Sequence, residues 1–351
     1  MKKLVENIKI EAYDYLLSEE AIAKYPLPNR DQSKLLILKN ENISQDIFCN
    51  ISKHLPEKSF LIGNDSKVIQ ARLHFFKNTG ARIEVFCLEP ISPHDYYTNF
   101  AQTQSCSWKC IAGNLKKWKN EVLVKTIIHC GKTISLKAEK TKNFGTHIAV
   151  SFQWDNGYTF SEILDIFGET PLPPYLNRDA EEKDKDTYQT VYSNKNGSVA
   201  APTAGLHFSE KLISELNNQG IKMQTLTLHV GAGTFKPVKA ACLKEHEMHT
   251  EIFSVSKNLI SEMISGQLHT IIGTTTLRTI ESLYYIALKI IKHDFYFHVT
   301  QWEPYSTTKN ISANQALSVI LEYLEKNNLT EISCSTQIII APGFEFQFAK
   351  R

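Results

Sequence analysis

The sequence predicts an α/β protein in which a barrel-like α/β main domain carries an inserted all-β domain of the small-barrel kind. Two observations support this prediction. Strand-like and helical runs alternate in residues 1–68 and 155–351. In residues 69–154, short β runs separated by polar turns follow one another without a helical period. We therefore expect a discontinuous α/β domain, 1–68 plus 155–351, interrupted by an all-β domain at 69–154.

The composition is that of an ordinary soluble globular protein of 351 residues, enough for about two domains. A net charge of +2 gives no argument for a strongly basic nucleic-acid-binding protein and does not exclude a local basic patch. Seven scattered cysteines without a CxxC pair suggest neither a disulfide framework nor a zinc ribbon. The N-terminus lacks a signal-peptide pattern, and no apolar run approaches about 18 residues. We expect a cytoplasmic protein without a membrane span.

The most informative stretch holds one helix and one strand between two glycine-containing turns. Ser209 is a candidate N-cap for a helix over 210–218, and residues 221–230 have the pattern of a buried strand. His207 then lies just before a helix N-terminus, and His229 lies at the C-terminal end of a strand. Loops at these places in α/β folds often carry catalytic or binding residues. The alternative is two tight turns with hydrogen-bonded structural histidines.

Both turns combine glycine with threonine. Thr203 and Gly205 lie in the first turn, and Gly231, Gly233 and Thr234 lie in the second. Glycines let a backbone come close to a ligand, and the exposed N–H groups of a helix start favour an anion. The second turn lacks the third glycine of a dinucleotide fingerprint.

The segment Glu245–His249 reads EHEMH. It is not the HExxH zinc motif, because its second histidine comes one residue too early. His246 and His249 could share a helix face and bind a metal. We favour the other interpretation, a hydrogen-bonded acid–base or structural cluster, and predict no metal site.

A third strand ends in a threonine-rich turn. Residues 269–273 have a strand pattern, residues 274–276 are threonines, and a helix is predicted over 277–291 with Arg278 in its first turn. A strand, such a turn and a helix N-terminus together suit a carboxylate or a phosphate. Simple N-capping by threonine is the alternative.

Two other polar segments bear on the site. Asn64 and Asp65 follow the short strand 60–62, where a structural Asx turn is the alternative to a functional role. The charged stretch 178–186 is expected to be an exposed loop or a frayed turn.

Taken together, these residues resemble the S-adenosylmethionine:tRNA ribosyltransferase-isomerase family, in family order and over nearly the whole chain. That family moves the ribosyl part of S-adenosylmethionine onto 7-aminomethyl-7-deazaguanine at the wobble position of tRNA. The reaction gives epoxyqueuosine and releases adenine and methionine. The motifs that carry the resemblance are YPLPNRDQSKLLIL (Tyr25–Leu38), NDSKVIQARL (Asn64–Leu73), GETPLPPY (Gly168–Tyr175), YQTVY (Tyr188–Tyr192), APTAGLHF (Ala201–Phe208), TLHVGAGTFKPV (Thr227–Val238), EHEMH (Glu245–His249) and GTTTLRTIES (Gly273–Ser282).

The sequence departs from the family pattern in two places. Ser66-Lys67 stands where the family has Thr-Arg, and lysine lacks the planar fork of arginine. The family also continues past a PGF-like segment into a further loop and helix, whereas this chain ends seven residues after Phe344. A catalytically impaired tRNA-binding relative is therefore the alternative. A methyltransferase is a weaker one, because no glycine-rich strand-to-helix turn begins the chain.

The resemblance implies roles for the candidate residues. The reaction needs a base at the sulfonium-acidified ribose 5′ carbon, a proton donor for adenine and a neutral attacking amine. S-adenosylmethionine is the co-substrate and the modified tRNA is the partner. No prosthetic group is expected, and the chain is expected to be a monomer. The expected catalytic residues are His207, His229, Glu245 and His246. The expected S-adenosylmethionine-binding residues are Thr203, Gly205, Gly231, Gly233, Thr234, Thr274, Thr275 and Arg278.

Overall fold

The computed structural model describes residues 5–231, 233, 238, 240–266 and 268–349. The chain divides into two compact units, each built on its own sheet. The second unit continues past residue 154 to Tyr188, and the expected domain limits of 69–154 stay a prediction. The first unit comprises Met1–Lys67, Gln189–Lys195 and Ala201–Arg351, and the second comprises Val68–Tyr188 and Asn196–Ala200.

The mixed α/β class expected from the sequence is confirmed. The strands are β1 Lys34–Lys39, β2 Asn42–Ile47, β3 Phe60–Asn64, β4 Ser66–Val68, β5 Arg72–Phe76, β6 Arg82–Ser92, β7 Ser105–Gly113, β8 Leu123–His129, β9 Lys132–Asn143, β10 Ile148–Trp154, β11 Gly168–Glu169, β12 Lys195–Ser198, β13 Lys222–Leu228, β14 Glu251–Ser256, β15 His269–Ile271, β16 His298–Val299 and β17 Glu331–Thr336. The α-helices are α1 Tyr96–Phe100, α2 Phe160–Phe167, α3 Asp184–Thr187, α4 Glu210–Asn218, α5 Lys257–Ile264, α6 Gly273–Ile291, α7 Glu303–Ser306 and α8 Ala313–Lys326.

The sheet of the first unit has six strands in the order β15-β3-β13-β14-β17-β16. Strands β15, β3 and β13 run parallel, and β14 is antiparallel to both of its neighbours. Strands β1 and β2 form a separate antiparallel hairpin. The parallel part matters for function because it brings the carboxyl ends of three strands to one edge.

Helix α6 lies at the centre of the first unit. Its residues Ile280, Tyr284 and Tyr285 are completely buried, and so are the polar residues Thr279 and Glu281. The helix begins at Gly273, four residues earlier than the sequence pattern predicted, so the three threonines form its first turn. The cause is the left-handed conformation of Gly273, with φ of 82°, which leads from β15 directly into the helix.

The sheet of the second unit has seven strands in the order β11-β5-β6-β7-β10-β9-β8, and every pairing in it is antiparallel. Its apolar faces bury Phe75, Trp108 and Phe152 completely. The expectation of no helix in residues 69–154 is wrong at α1, where the Asp95 carboxylate accepts the N–H of Thr98 and begins one turn.

Most of the charged stretch 178–186 is exposed, as the sequence suggested, but Asp184 is buried and begins the short helix α3. The Arg178 guanidinium donates two hydrogen bonds to the Asp184 carboxylate, at 2.7 and 2.8 Å. Asp184 is buried and also accepts the N–H of Glu181 at 2.8 Å. This bidentate ion pair between Arg178 and Asp184 explains why the polar segment folds back on itself.

The carboxylate of Glu281, on α6, holds the final described residues in place. It is completely buried and accepts the backbone N–H groups of Gln347, Phe348 and Ala349 at 2.8, 3.0 and 2.9 Å. Burial raises the pKa of the Glu281 carboxyl, and the three N–H donors act in the opposite sense.

We expect Glu281→Ala to lower the free energy of unfolding by about 2–4 kcal/mol, because buried N–H groups would lose their acceptor. Urea unfolding of the whole chain measures this. The control is Glu345→Ala, which removes an exposed ion pair with Lys309 and should leave the unfolding midpoint unchanged. Equal midpoints for Glu281→Ala and the unsubstituted chain would contradict the role of Glu281.

Candidate functional site

The candidate site lies where the three parallel strands of the first unit end. Strand β3 pairs with β13 in a register that places Asn64 beside Leu226, and β15 pairs with the other side of β3. Open α/β sheets bind ligands at the carboxyl ends of their strands. The residues that follow the three strands therefore occupy the edge at which a ligand is expected.

Asn64 ties the ends of β3 and β13 together. Its side-chain oxygen accepts the N–H groups of Leu228 and Ser66 at 3.0 and 3.1 Å, and its side-chain amide donates to the carbonyl of Leu228 at 2.9 Å. The bond to Ser66 is an Asx turn, so the structural interpretation of Asn64 is correct. An aspartate could not replace it, because a carboxylate has no N–H to donate.

His229 follows β13, and its ring is held by the residue that follows Asp65. The Oγ atom of Ser66 lies 2.9 Å from Nδ1 of His229, and the backbone N–H of His229 donates to Ile252 at 3.0 Å. Serine keeps the hydroxyl that the family's threonine would supply at position 66. Lys67, the other departure, is exposed. A hydrogen bond to one ring nitrogen fixes the orientation of a histidine.

Asp65 is a buried carboxylate at the same strand end. It is 7% exposed, and its two oxygens lie 2.7 Å from the hydroxyl of Thr227 and 3.4 Å from that of Thr225. Burial raises the pKa of the Asp65 carboxyl, while the Thr227 hydroxyl and the charge of Lys195 act in the opposite sense. Carboxyl groups with raised pKa values are frequent at functional sites.

Tyr192 packs beside two glycines near this edge. A Cβ atom on Gly205 would lie 2.1 Å from the Tyr192 hydroxyl oxygen, and one on Gly63 would lie 3.0 Å from it. Gly205 is therefore needed for the buried ring to fit, and a larger residue at Gly63 would press against the ring. Burial, with a contribution from the charge of Asp65, raises the pKa of the Tyr192 phenol. Within the described part of the chain, the buried hydroxyls of Tyr192 and Thr190 have no hydrogen-bond partner.

Glu251, at the start of β14, connects the second glycine turn to α6. It is 2% exposed, accepts the N–H of Gly231 at 3.3 Å and pairs with Nη1 of Arg278. The Nε atom of Arg278 donates to the carbonyl of Ile338 at 2.9 Å. Its Nη2 atom is buried without a hydrogen-bond partner among the described residues. One guanidinium N–H group thus stays available to a ligand.

The first glycine turn lies against the start of α6. Residues Thr203–His207 form a 3-10 helix, and a Cβ atom on Gly273 would lie 3.3 Å from that of Ala204. The His207 ring packs on Phe48, with 5.3 Å between ring centroids. The N-cap of α6 is Ile272, which provides no side-chain cap, so the first-turn N–H groups lack the usual acceptor.

The EHEMH segment contacts the second glycine turn through its last histidine. A Cβ atom on Gly233 would lie 1.9 Å from the His249 ring, so a larger residue there would require the ring to move. His246 is half-buried, and its carbonyl accepts the side-chain amide of Gln301 at 2.7 Å. Glu245 is exposed, and its carboxylate accepts the N–H of Ala241 at 3.2 Å.

The structure thus groups the expected residues in three sets along one part of the first unit. Gly231 and Arg278 meet at Glu251, and the turn of Thr203, Gly205 and His207 meets the helix start of Thr274 and Thr275. His229 meets Ser66. Among the described residues, the side chains of Glu245 and His246 make no hydrogen bond with these sets, and their roles stay a prediction. Thr234 lies outside the described residues.

Three residues of the site were missed by sequence reasoning. Ser66 and Tyr192 lie within motifs of the resemblance, but nothing local shows that they meet His229 and Gly205. Glu251 had one weak signal, a charged residue at the start of an apolar strand. In the described part of the chain, no group of three His, Cys, Asp or Glu side chains could hold a metal ion. The same residues include no helix with the length and apolarity needed to cross a membrane.

Comparison with known proteins identifies the family. The profile of the queuosine biosynthesis protein family matches residues 10–351. The S-adenosylmethionine:tRNA ribosyltransferase-isomerase of Halothermothrix orenii is 40% identical over 78% of this chain and 77% of its own length. The protein of the same name from Nitratiruptor sp. is 36% identical over 82% of this chain and 79% of its own length.

A solved structure is also similar, that of S-adenosylmethionine tRNA ribosyltransferase from Thermotoga maritima. It is 20% identical, covers 93% of this chain and 99% of its own, and has a TM-score of 0.32. The family expected from the motifs is confirmed by the profile and the curated relatives, and the names of those relatives give no support to a binding-only protein. This chain belongs to the queuosine biosynthesis protein family, among relatives named S-adenosylmethionine:tRNA ribosyltransferase-isomerase.

Proposed function

We propose that this chain is an S-adenosylmethionine:tRNA ribosyltransferase-isomerase. It transfers and isomerises the ribosyl part of S-adenosylmethionine onto 7-aminomethyl-7-deazaguanine at the wobble position of tRNA, giving epoxyqueuosine and releasing adenine and methionine. The observation that carries the proposal is the family match over residues 10–351. The site geometry supports it, because residues of the right chemistry gather at the carboxyl ends of β15, β3 and β13.

The start of α6 is the proposed site for the methionine carboxylate. Its first-turn N–H groups have no side-chain cap, and an anion at a helix N-terminus is favoured by these groups and by the helix dipole. Arg278 adds one guanidinium N–H group that is otherwise unpartnered among the described residues. Thr274 and Thr275 belong to the same turn. The amino acid part of S-adenosylmethionine would thus be held by backbone as much as by side chains.

His229 is the proposed base at the ribose 5′ carbon. The positive sulfur of the co-substrate makes that carbon acidic, and a histidine is suited to accept a proton near neutral pH. Ser66 fixes the orientation of the ring through its 2.9 Å contact with Nδ1. Asp65 directly precedes Ser66 in the chain, and the negative charge of its carboxylate favours a nearby sulfonium cation.

His207 is the proposed proton donor for the leaving adenine. Its ring is half-buried and oriented by Phe48, and its turn lies against the start of α6. Gly231 and Gly233 would approach the nucleoside by backbone, since Glu251 and His249 hold their turn from two sides. Glu245 and His246 remain proposed acid–base residues with less geometric support.

The proposal also covers cofactor use, location, oligomeric state and the shape of the two sheets. The residues of the site require no prosthetic group for this reaction, and S-adenosylmethionine serves as co-substrate. We propose a cytoplasmic monomer whose partner is the modified tRNA. We also propose that the antiparallel sheet of the second unit closes as a small barrel and that the first unit is barrel-like.

The direct test is release of adenine. The purified chain, incubated with S-adenosylmethionine and tRNA carrying 7-aminomethyl-7-deazaguanine, should release one adenine per tRNA, with a matching increase in tRNA mass.

His229→Ala should lower kcat by roughly 100-fold to 10,000-fold, as expected for a lost general base. The matched control is His129→Ala, an exposed histidine of the second unit. Absence of adenine from the unsubstituted chain would refute the function, and full activity of His229→Ala would refute the role of His229.

The pH dependence of kcat/KM tests Asp65. Its pKa is raised by burial and lowered by the Thr227 hydroxyl, so Thr227→Val should raise it further. If ionised Asp65 is needed, the acid limb of the profile should move to higher pH in this variant. Thr126→Val, at an exposed Thr126–Ser135 pair of the second unit, is the control. An acid limb that does not move would show that the ionisation of Asp65 does not limit the reaction.

A further inference from the structure

One face of the second unit concentrates charged side chains outside the site already described. Strands β11, β5 and β6 are neighbours, with Glu169 opposite Arg72 and His74 opposite Glu84. Side chains alternate between the faces of a strand, so these four lie on one face. The other face is core, where residues such as Leu73 are completely buried.

This face forms the floor of a cavity of about 430 Å³, within the size range of small-molecule sites. The proline-rich segment from Leu172 to Ala180 contributes the rest of the wall. Arg178 belongs to that wall, and its bidentate pair with the buried Asp184 holds the segment in place. The cavity therefore has a charged floor and a wall in which Leu172 and two prolines stand beside the polar Asn177, Arg178 and Asp179.

His74 holds the two carboxylates of the floor at fixed positions. It is 4% exposed, with Nδ1 2.9 Å from Oε1 of Glu169 and Nε2 3.2 Å from Oε2 of Glu84. The other oxygen of each carboxylate makes no hydrogen bond or ion pair with a described residue. The Glu169 side chain is 47% exposed, so its remaining oxygen can accept a hydrogen bond from a ligand.

Arg72 lies opposite Glu169 on the neighbouring strand, and its Nη1 atom lies 3.6 Å from Oε2 of Glu84. Its guanidinium lies 5.4 Å from the centre of the Phe86 ring, which supports it from one side. Its Nε atom is buried without a hydrogen-bond partner within the described part of the chain. Directly opposed residues of an antiparallel pair have Cβ atoms about 5 Å apart. A hydrogen-bond acceptor and a donor thus stand at opposed positions of two neighbouring strands.

We propose that this cavity binds a guanine-type base of the substrate tRNA, with Glu169 accepting from its N1–H and N2–H groups and Arg72 donating to its O6. Guanine presents two adjacent donors beside an acceptor, whereas adenine presents an acceptor at N1 that a carboxylate would repel. Unpaired bases of RNA loops are commonly recognised by their Watson–Crick edges and by stacking on side chains. Leu172 and the adjacent prolines would contact the flat faces of the ring.

The inference rests on the proposed function, because it takes tRNA as the substrate. It goes further by assigning base recognition to residues of the second unit that have no part in the proposed chemistry. Glu169 and Arg72 would decide which base is accepted, and His74 would position Glu169.

The test is tRNA binding by the full chain without S-adenosylmethionine, so that its result does not depend on turnover. We compare tRNA carrying unmodified guanosine at the wobble position with tRNA carrying inosine there, because these two bases differ only in the 2-amino group. Glu169→Gln should weaken binding of the first tRNA about tenfold to hundredfold and remove the preference over the second. Glu139→Gln, an exposed glutamate of the same sheet, is the control.

The results separate the sources of the base. A preference at the wobble position that disappears in Glu169→Gln assigns the cavity to the wobble base. Replacing a different guanine of the loop by inosine could weaken binding instead. If Glu169→Gln removes that effect, the cavity binds that guanine. Unchanged affinity and preference in both Glu169→Gln and Arg72→Lys would overturn the proposal. The two variants are independent, and their unfolding midpoints show whether each is folded. Base selectivity in a chain that releases no adenine would leave this inference standing and refute the proposed reaction.

Discussion

The hydrogen bonds of Asn64 are the constraint on which the candidate site depends. They tie the end of β3 to the end of β13 from a completely buried position. The same side chain fixes the turn that places Asp65 and Ser66. Because His229 is the next residue after Leu228, its distance from Ser66 follows from this tie. The orientation of the proposed base is thus set by a residue that need not touch the substrate.

The electrostatics of the site follow from what is buried. Two carboxylates, Asp65 and Glu251, are almost completely removed from solvent. Glu251 is paired with Arg278 and with a backbone N–H group, which offsets the cost of burying its charge. The Asp65 carboxylate has the hydroxyls of Thr227 and Thr225 as side-chain partners, and burial raises its pKa. An ion pair, Glu251–Arg278, and a carboxyl group with a raised pKa, that of Asp65, therefore lie at the same sheet edge.

Much of this arrangement could be predicted from local sequence patterns. Ser209 was recognised as an N-cap, and its hydroxyl accepts the N–H of Leu212 at 3.1 Å. His229 was placed at a strand end because a buried strand pattern stops there. These predictions succeeded because capping and strand alternation depend on residues that are neighbours in the chain.

The rest depends on residues that are distant in the chain. Ser66 and His229 are 163 positions apart, and only the parallel register of β3 and β13 brings them together. The start of α6 was misplaced because Gly273 has a positive φ that sequence alone does not show. The charged pattern of 178–186 predicts an exposed loop or a frayed turn, and the burial of Asp184 by its pairing with Arg178 is not visible without the fold. Single-sequence patterns report local preferences and miss the partners that tertiary structure supplies.

The central claim is that S-adenosylmethionine binds at the carboxyl ends of the parallel strands of the first unit. A crystal structure of the chain with an unreactive S-adenosylmethionine analogue tests it most directly. The account predicts density for the analogue's carboxylate at the first turn of α6 beside Arg278, and for its ribose beside His229. Density for the analogue elsewhere, with this edge occupied only by solvent, would contradict the account.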